Sequence, residues 1–83
     1  MAEKEIGKIT HFFDKISVAI VELSSGIKKG EAVHVKGHTT DFTLDADSIQ
    51  IDKAEVESAK RGDVIGMKVP EDAREGDKVY RVE

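Results

Sequence analysis

The sequence predicts an all-β domain, six short strands in a closed antiparallel-type barrel, and three observations lead there. The apolar runs have strand length and β-branched composition, and none is sustained at a helical period. Three of them are introduced by the same glycine-containing turn. The 83 residues fit one domain spanning the whole chain, with residues 1–5 expected to be flexible. A chain this short buries only about 60% of the surface its unfolded form exposes, so there is room for one core.

The first strand is read over Ile6-Gly7-Lys8-Ile9-Thr10-His11-Phe12-Phe13, ended by the polar pair Asp14-Lys15. Ile16 to Leu23 is the strongest run, rich in β-branched residues and stopped by Ser24-Ser25-Gly26, so the two runs form a hairpin. Ala32 to Lys36 alternates apolar and polar residues from Val33 onward and stops at Gly37-His38, a half-buried third strand. Asp41 to Ala46 puts Phe42, Leu44 and Ala46 on one face, whereas Ile49 and Ile51 fall in the opposite phase. A bulge or short break is therefore expected near Asp47-Ser48. Lys53 to Lys60 has weak helical character through Ala54, Val56 and Ala59, too short for a stable helix, and is read as a loop with at most one turn. Val64 to Val69, closed by Pro70, and Lys78 to Val82 complete the six strands. A set of short strands without a helix fits a barrel.

The repeat reads Lys29-Gly30-Glu31, Arg61-Gly62-Asp63 and Glu75-Gly76-Asp77, each two residues ahead of a β-branched residue. Glycine supplies the positive φ of a tight turn, and the acidic side chain reaches backbone N–H groups nearby. A phosphate cradle would need further glycines, a Lys-Ser/Thr pair and a following helix, so specific nucleotide binding is not expected.

Thirteen Lys and Arg against seventeen Asp and Glu give a formal charge of −4, which argues against holding nucleic acid mainly by neutralising phosphates. The absence of cysteine excludes disulfides, thiolate metal sites and a cysteine nucleophile. No stretch approaches the roughly 20 apolar residues of a membrane-spanning helix, and no signal peptide is visible, so a cytoplasmic protein without a membrane partner is expected. No metal or cofactor is expected either. His34 and His38 have metal-like spacing only on a helix, and here the alternation is β. Asp45-Ala46-Asp47 opens like a calcium loop but has Gln50 and Val56 where glycine and glutamate are required. Ser24 and Ser25 have no neighbouring His and Asp, and no acid–base pair or nucleophile stands out. A non-enzyme is the expectation.

Val18 to Leu23 followed by Gly26 to Gly37, then Ala59 to Val69 and Arg74 to Val79, resembles the second, β-barrel domain of translational GTPases of the elongation factor Tu type. Gly7 to Ile16 and Lys36 to Phe42 resemble more closely the free-standing translation-elongation-factor-like proteins and the C-terminal barrel of collagenase-like peptidases. The GTPase and peptidase domains have no counterpart in these 83 residues, so neither activity carries over. What the resemblance implies is a non-catalytic binding module associated with translation or RNA metabolism, its partner RNA or a translation-associated protein and not DNA. A protein-interaction or self-association module is the alternative, because one side of the apolar strand from Ile16 to Val21 should face outward and need a cover. A third reading is an accessory barrel for a separately encoded enzyme.

The candidate binding residues are His11, Phe12, Phe13 and Lys15 near the first hairpin tip, with Lys36, His38, Thr39 and Thr40 after the third strand. Here basic, polar or aromatic groups interrupt otherwise ordinary strand patterns, at strand ends where a sheet positions binding groups. Adjacent strand residues point to opposite faces, so either one of Phe12 and Phe13 fills the core and the other lies outside, or both rings cover a barrel end.

Overall fold

Ten strands and no helix occupy the residues that the computed structural model describes, 3–52 and 54–82. They are β1 (Glu3–Phe13), β2 (Val18–Leu23), β3 (Ile27–Lys28), β4 (Ala32–Lys36), β5 (Asp41–Asp45), β6 (Ile49–Ile51), β7 (Ala54–Val56), β8 (Ser58–Ala59), β9 (Val64–Lys68) and β10 (Lys78–Val82). Each of the six expected strands is present. Eight strands form one antiparallel sheet in the order β5-β4-β10-β1-β2-β9-β6-β7, and β3 pairs with β8 separately. Of the segment expected to be flexible, Glu3 to Glu5 pair with Val82 to Tyr80 on β10. The expectations placed on Met1, Ala2 and Lys53 lie outside the described residues.

The all-β class is as expected, but the sheet does not close into a six-stranded barrel. A strand has two edges, and β6 uses both, on β9 and on β7, leaving none for β5. The terminal strands β5 and β7 are therefore open edges. The sheet nevertheless curls, because Ala46, Asp47 and Ser48 alone lead from β5 at one end of the order to β6 near the other. Three residues span at most about 11 Å. The phase change expected at Asp47-Ser48 is this break. Ala46 exchanges backbone hydrogen bonds with Gly30 (3.0 Å) and Glu31 (2.9 Å), which fixes the crossing.

Inside the curl lie Ile6, Ile9, Val21, Val33, Val35, Ile49, Ile65, Met67 and Val79, all essentially inaccessible to solvent. Each such side chain contributes about 1.5–3 kcal/mol relative to exposure. Two bulges in β1 bend the sheet around them, between Glu5 and Gly7 against β10 and between Ile9 and His11 against β2. The segment read as a loop, 53–60, contains β7 and β8 instead. Asp52 takes a φ of 54° and turns the chain so that Ile51 faces Ala54 and Ile49 faces Val56, while Ala59 pairs with Ile27. Pairing with distant strands overrides the weak helical preference of these residues.

The repeated turn has one construction in all three copies. Gly30, Gly62 and Gly76 have φ of 91°, 90° and 92°, each at the third position of a turn closed by the acidic residue's N–H. Glu31, Asp63 and Asp77 accept from the backbone N–H of Lys28 (2.6 Å), Lys60 (3.0 Å) and Arg74 (2.9 Å) through their carboxylates. This is type II turn geometry, reinforced by a side chain.

Candidate partner-docking face

The first hairpin decides which side chains reach solvent. Thr10 is the extra residue of the second bulge in β1, and beyond it the strand changes phase: Ile9 opposes Val21 inside, whereas His11 opposes Ile20 and Phe13 opposes Val18 outside. Phe12, between them, faces inward opposite Ala19 and packs against the core. The ring left outside is Phe13, 44% exposed, with His11 edge-on to it at 4.4 Å between centroids. Asp14 to Ser17 form the turn, so Ile16 stands at its tip, 60% exposed.

The outer face of β2 is continuous with that of β9. Ile20 opposes Gly66, Val18 opposes Lys68 and Glu22 opposes Val64, which is 51% exposed. Phe13, Ile16, Val18, Ile20 and Val64 surround an open depression of ≈ 650 Å³ whose floor is at Gly66. Glu22, Asp52 and Asp63 lie towards the Val64 end, and Lys68 lies beside Val18. A sheet face presented to water normally alternates to polar residues, and a contiguous apolar patch with a polar rim marks an interaction surface. The expected outward apolar side of Ile16 to Val21 is present as Ile16, Val18 and Ile20.

The second group of candidates lies at the same end of the sheet as the hairpin, because β4 runs parallel to β1 with β10 between them. The two groups do not merge: the turn Arg74–Asp77 sits between, bonded to Ile9 through Gly76 N–H (2.7 Å) and Asp77 O (2.7 Å). Lys36, His38 and Thr39 are exposed, as is Lys15 on the hairpin turn. Thr40 is buried, and its carbonyl accepts from the Gly37 N–H at 2.7 Å, so it serves the turn.

Sequence reasoning missed the groups around His34. Its Nδ1 is hydrogen-bonded to Glu3 Oε2 at 2.7 Å and its Nε2 to Asp41 Oδ1. The Asp41 hydrogen bond first, and the Glu3 bond second, raise the imidazole pKa above its ordinary value of 6.5. Both ring nitrogens are thus turned to carboxylates, an arrangement that favours the protonated ring. No group of three His, Asp or Glu able to hold a metal occurs among the described residues, and no helix there is long and apolar enough to cross a membrane.

No family model matches the chain. An uncharacterized protease of Methanocaldococcus jannaschii is 40% identical over 77 residues, which are 92% of this chain and 19% of that protein. The chain thus spans about a fifth of the length of the curated relative. Among solved structures, the C-terminal domain assigned to a U32 peptidase of Geobacillus thermoleovorans superposes with a TM-score of 0.90, covering 96% of this chain and 93% of that one at 16% identity. Its selenomethionine variant gives 0.86, covering 92% and 96%, also at 16% identity. These structures share the fold. Of the resemblances read from the sequence, the one to the C-terminal domain of collagenase-like peptidases agrees with these neighbours; the one to the second domain of translational GTPases finds no counterpart among them.

Proposed function

We propose that this domain is a non-catalytic accessory module that packs onto the catalytic body of a U32-peptidase-type protein through the outer face of β2 and β9. The observation that carries the reading is the apolar depression around Gly66, on a sheet face that faces water in the domain alone. Support comes also from the curated relative, a longer protein described as a protease, in which the matching region is a minor part. Among the described residues, the docking face carries one imidazole, His11, which meets the Phe13 ring edge-on. A cytoplasmic setting, expected from the lack of a visible signal peptide or membrane-spanning stretch, belongs to the same proposal. The RNA or translation role implied by the likeness to translational GTPases gains no support from these relatives.

The test is calorimetric titration of this domain into the Methanocaldococcus jannaschii protease truncated to remove its matched 77 residues. Saturable binding is expected, with affinity lowered at least about tenfold by Ile16→Asp with Val64→Asp, since charge at the centre of an apolar contact costs several kcal/mol when desolvated. No binding by the unaltered domain rejects the proposal. Equal binding by the folded double variant rejects the face.

A further inference from the structure

We infer that the outer sheet face carries a second docking element, a row of three lysines, Lys8, Lys78 and Lys36, that receives an acidic segment of the protein partner. The inference rests on the accessory-module reading and names the partner's chemistry. Lys36 on β4 is directly opposite Lys78 on β10, and Lys78 is directly opposite Lys8 on β1. Their chain neighbours Val35, Val79 and Ile9 are buried, so the three ammonium groups share the outer face. Strands lie about 4.8 Å apart, which places three positive charges along roughly 10 Å.

Like charges directly opposite each other destabilise a sheet, and here the effect occurs twice in succession. Neutralisation within the domain is partial: Lys8 and Lys36 each have one carboxylate directly across the ladder, Glu22 and Asp41, and Asp41 is already held by His34. Lys78 has Glu5 at 3.8 Å, and no ion pair joins Lys8 or Lys36 to another described residue. An external anion would remove the repulsion.

The row also limits what that anion is. It is bounded by Glu22 on β2, opposite Lys8, and by Asp41 on β5, opposite Lys36. A long polyanion crossing the strands would run onto these carboxylates, on a chain whose net charge is already −4. A short acidic stretch of protein fits within the bounds. Position favours the same partner, because Glu22 alone separates Lys8 from Val64 of the apolar depression along one register line.

Two measurements test this. In the first, the truncated protease is titrated at about 50 and 300 mM salt with Lys8→Gln/Lys36→Gln and, as a control of equal charge change, Lys28→Gln/Lys60→Gln. The row variant is expected to bind several-fold more weakly at low salt with a flatter salt dependence, and the control to match the unaltered domain. Equal behaviour of the two variants overturns the inference. In the second, hexaglutamate and decauridylate are added separately to isotope-labelled domain and followed by amide and lysine side-chain NMR. Shifts centred on Lys8, Lys36 and Lys78 with hexaglutamate support the row. Shifts with decauridylate alone, or with neither, overturn it. Failure of the unaltered domain to bind the protease counts against the accessory-module reading, while the peptide titration still reads the lysine row.

Discussion

His34 Nδ1 lies 2.7 Å from Glu3 Oε2, a contact that reaches from β4 across β10 to β1 while the other ring nitrogen holds Asp41 on β5. The ring leans over Tyr80 at 6.5 Å between centroids, and its side chain is only 14% exposed. One imidazole ring thus ties the open edge strand and the start of the first strand to the middle of the sheet.

Stability should therefore fall as pH rises. The folded-state pKa of His34 lies above 6.5, raised by Asp41 and then Glu3. Its contribution is fully present below the ordinary histidine value, provided the carboxylates are ionised, and is lost as pH passes upward through the raised value. Glu3 and Asp41 remain partly exposed, so about 1 kcal/mol is expected, or about 4–8 °C in Tm for a domain of this size. Thermal melts of the parent and His34→Gln between pH 6 and 9 check this. The parent should lose its advantage over the variant at the alkaline end, and a constant difference would refute the clamp.

Phe12 and Phe13 should separate stability from binding. Phe12→Ala removes a ring packed against the core and is expected to cost about 2–4 kcal/mol in urea denaturation. Phe13→Ala removes an exposed ring and should change stability by less than about 1 kcal/mol while weakening partner binding. The reverse order would show that the phase change at Thr10 is misplaced.

Gly37 and Asp77 should be strongly coupled. A Cβ on Gly37 would collide with an Asp77 carboxylate oxygen, and Asp77 is buried and accepts the Arg74 N–H. Gly37→Ala is expected to cost about 2 kcal/mol by displacing that carboxylate, and Asp77→Ala about 1–2 kcal/mol by leaving the turn unsupported. The double variant should be clearly more stable than the sum implies, because the collision disappears with the carboxylate. Denaturation of all four proteins measures the coupling, and simple additivity would contradict it.

What could be read from the chain follows from how local each determinant is. The strands β1, β2, β4, β5, β9 and β10 announce themselves by β-branched runs between turn residues, and the turns at Gly30, Gly62 and Gly76 by their repeated acidic partner. Closure depended on something non-local, namely whether β6 would spend its edges on β5 or on β9 and β7. The strands around Ala54 and Ser58 are likewise made by their partners, not by their own propensity. At the candidate site, an apolar outer side of β2 was legible, but choosing Phe13 over Phe12 required the bulge at Thr10. Lys8, Lys36 and Lys78 are far apart in sequence, and only the register of three strands lines them up.

The depression itself offers the sharpest test of the docking face, because its floor is a glycine that the fold does not require there. A Cβ built on Gly66 would lie 3.4 Å from Val18 Cγ1 and 3.6 Å from Ile20 Cδ1, at or near ordinary van der Waals distances. Gly66→Ala should accordingly leave the domain as stable or slightly more stable, since alanine loses less conformational entropy in a strand. A partner side chain seated over Gly66 would be lifted by about a methyl group. Contacts at a well-packed interface centre tolerate such a shift poorly, so affinity should fall several-fold with no loss of Tm, and Gly66→Val should extend the trend. Calorimetry against the truncated protease, paired with thermal melts, separates the two effects. Unchanged affinity in a Gly66→Val protein that melts like the parent would mean that the partner does not sit on β2 and β9.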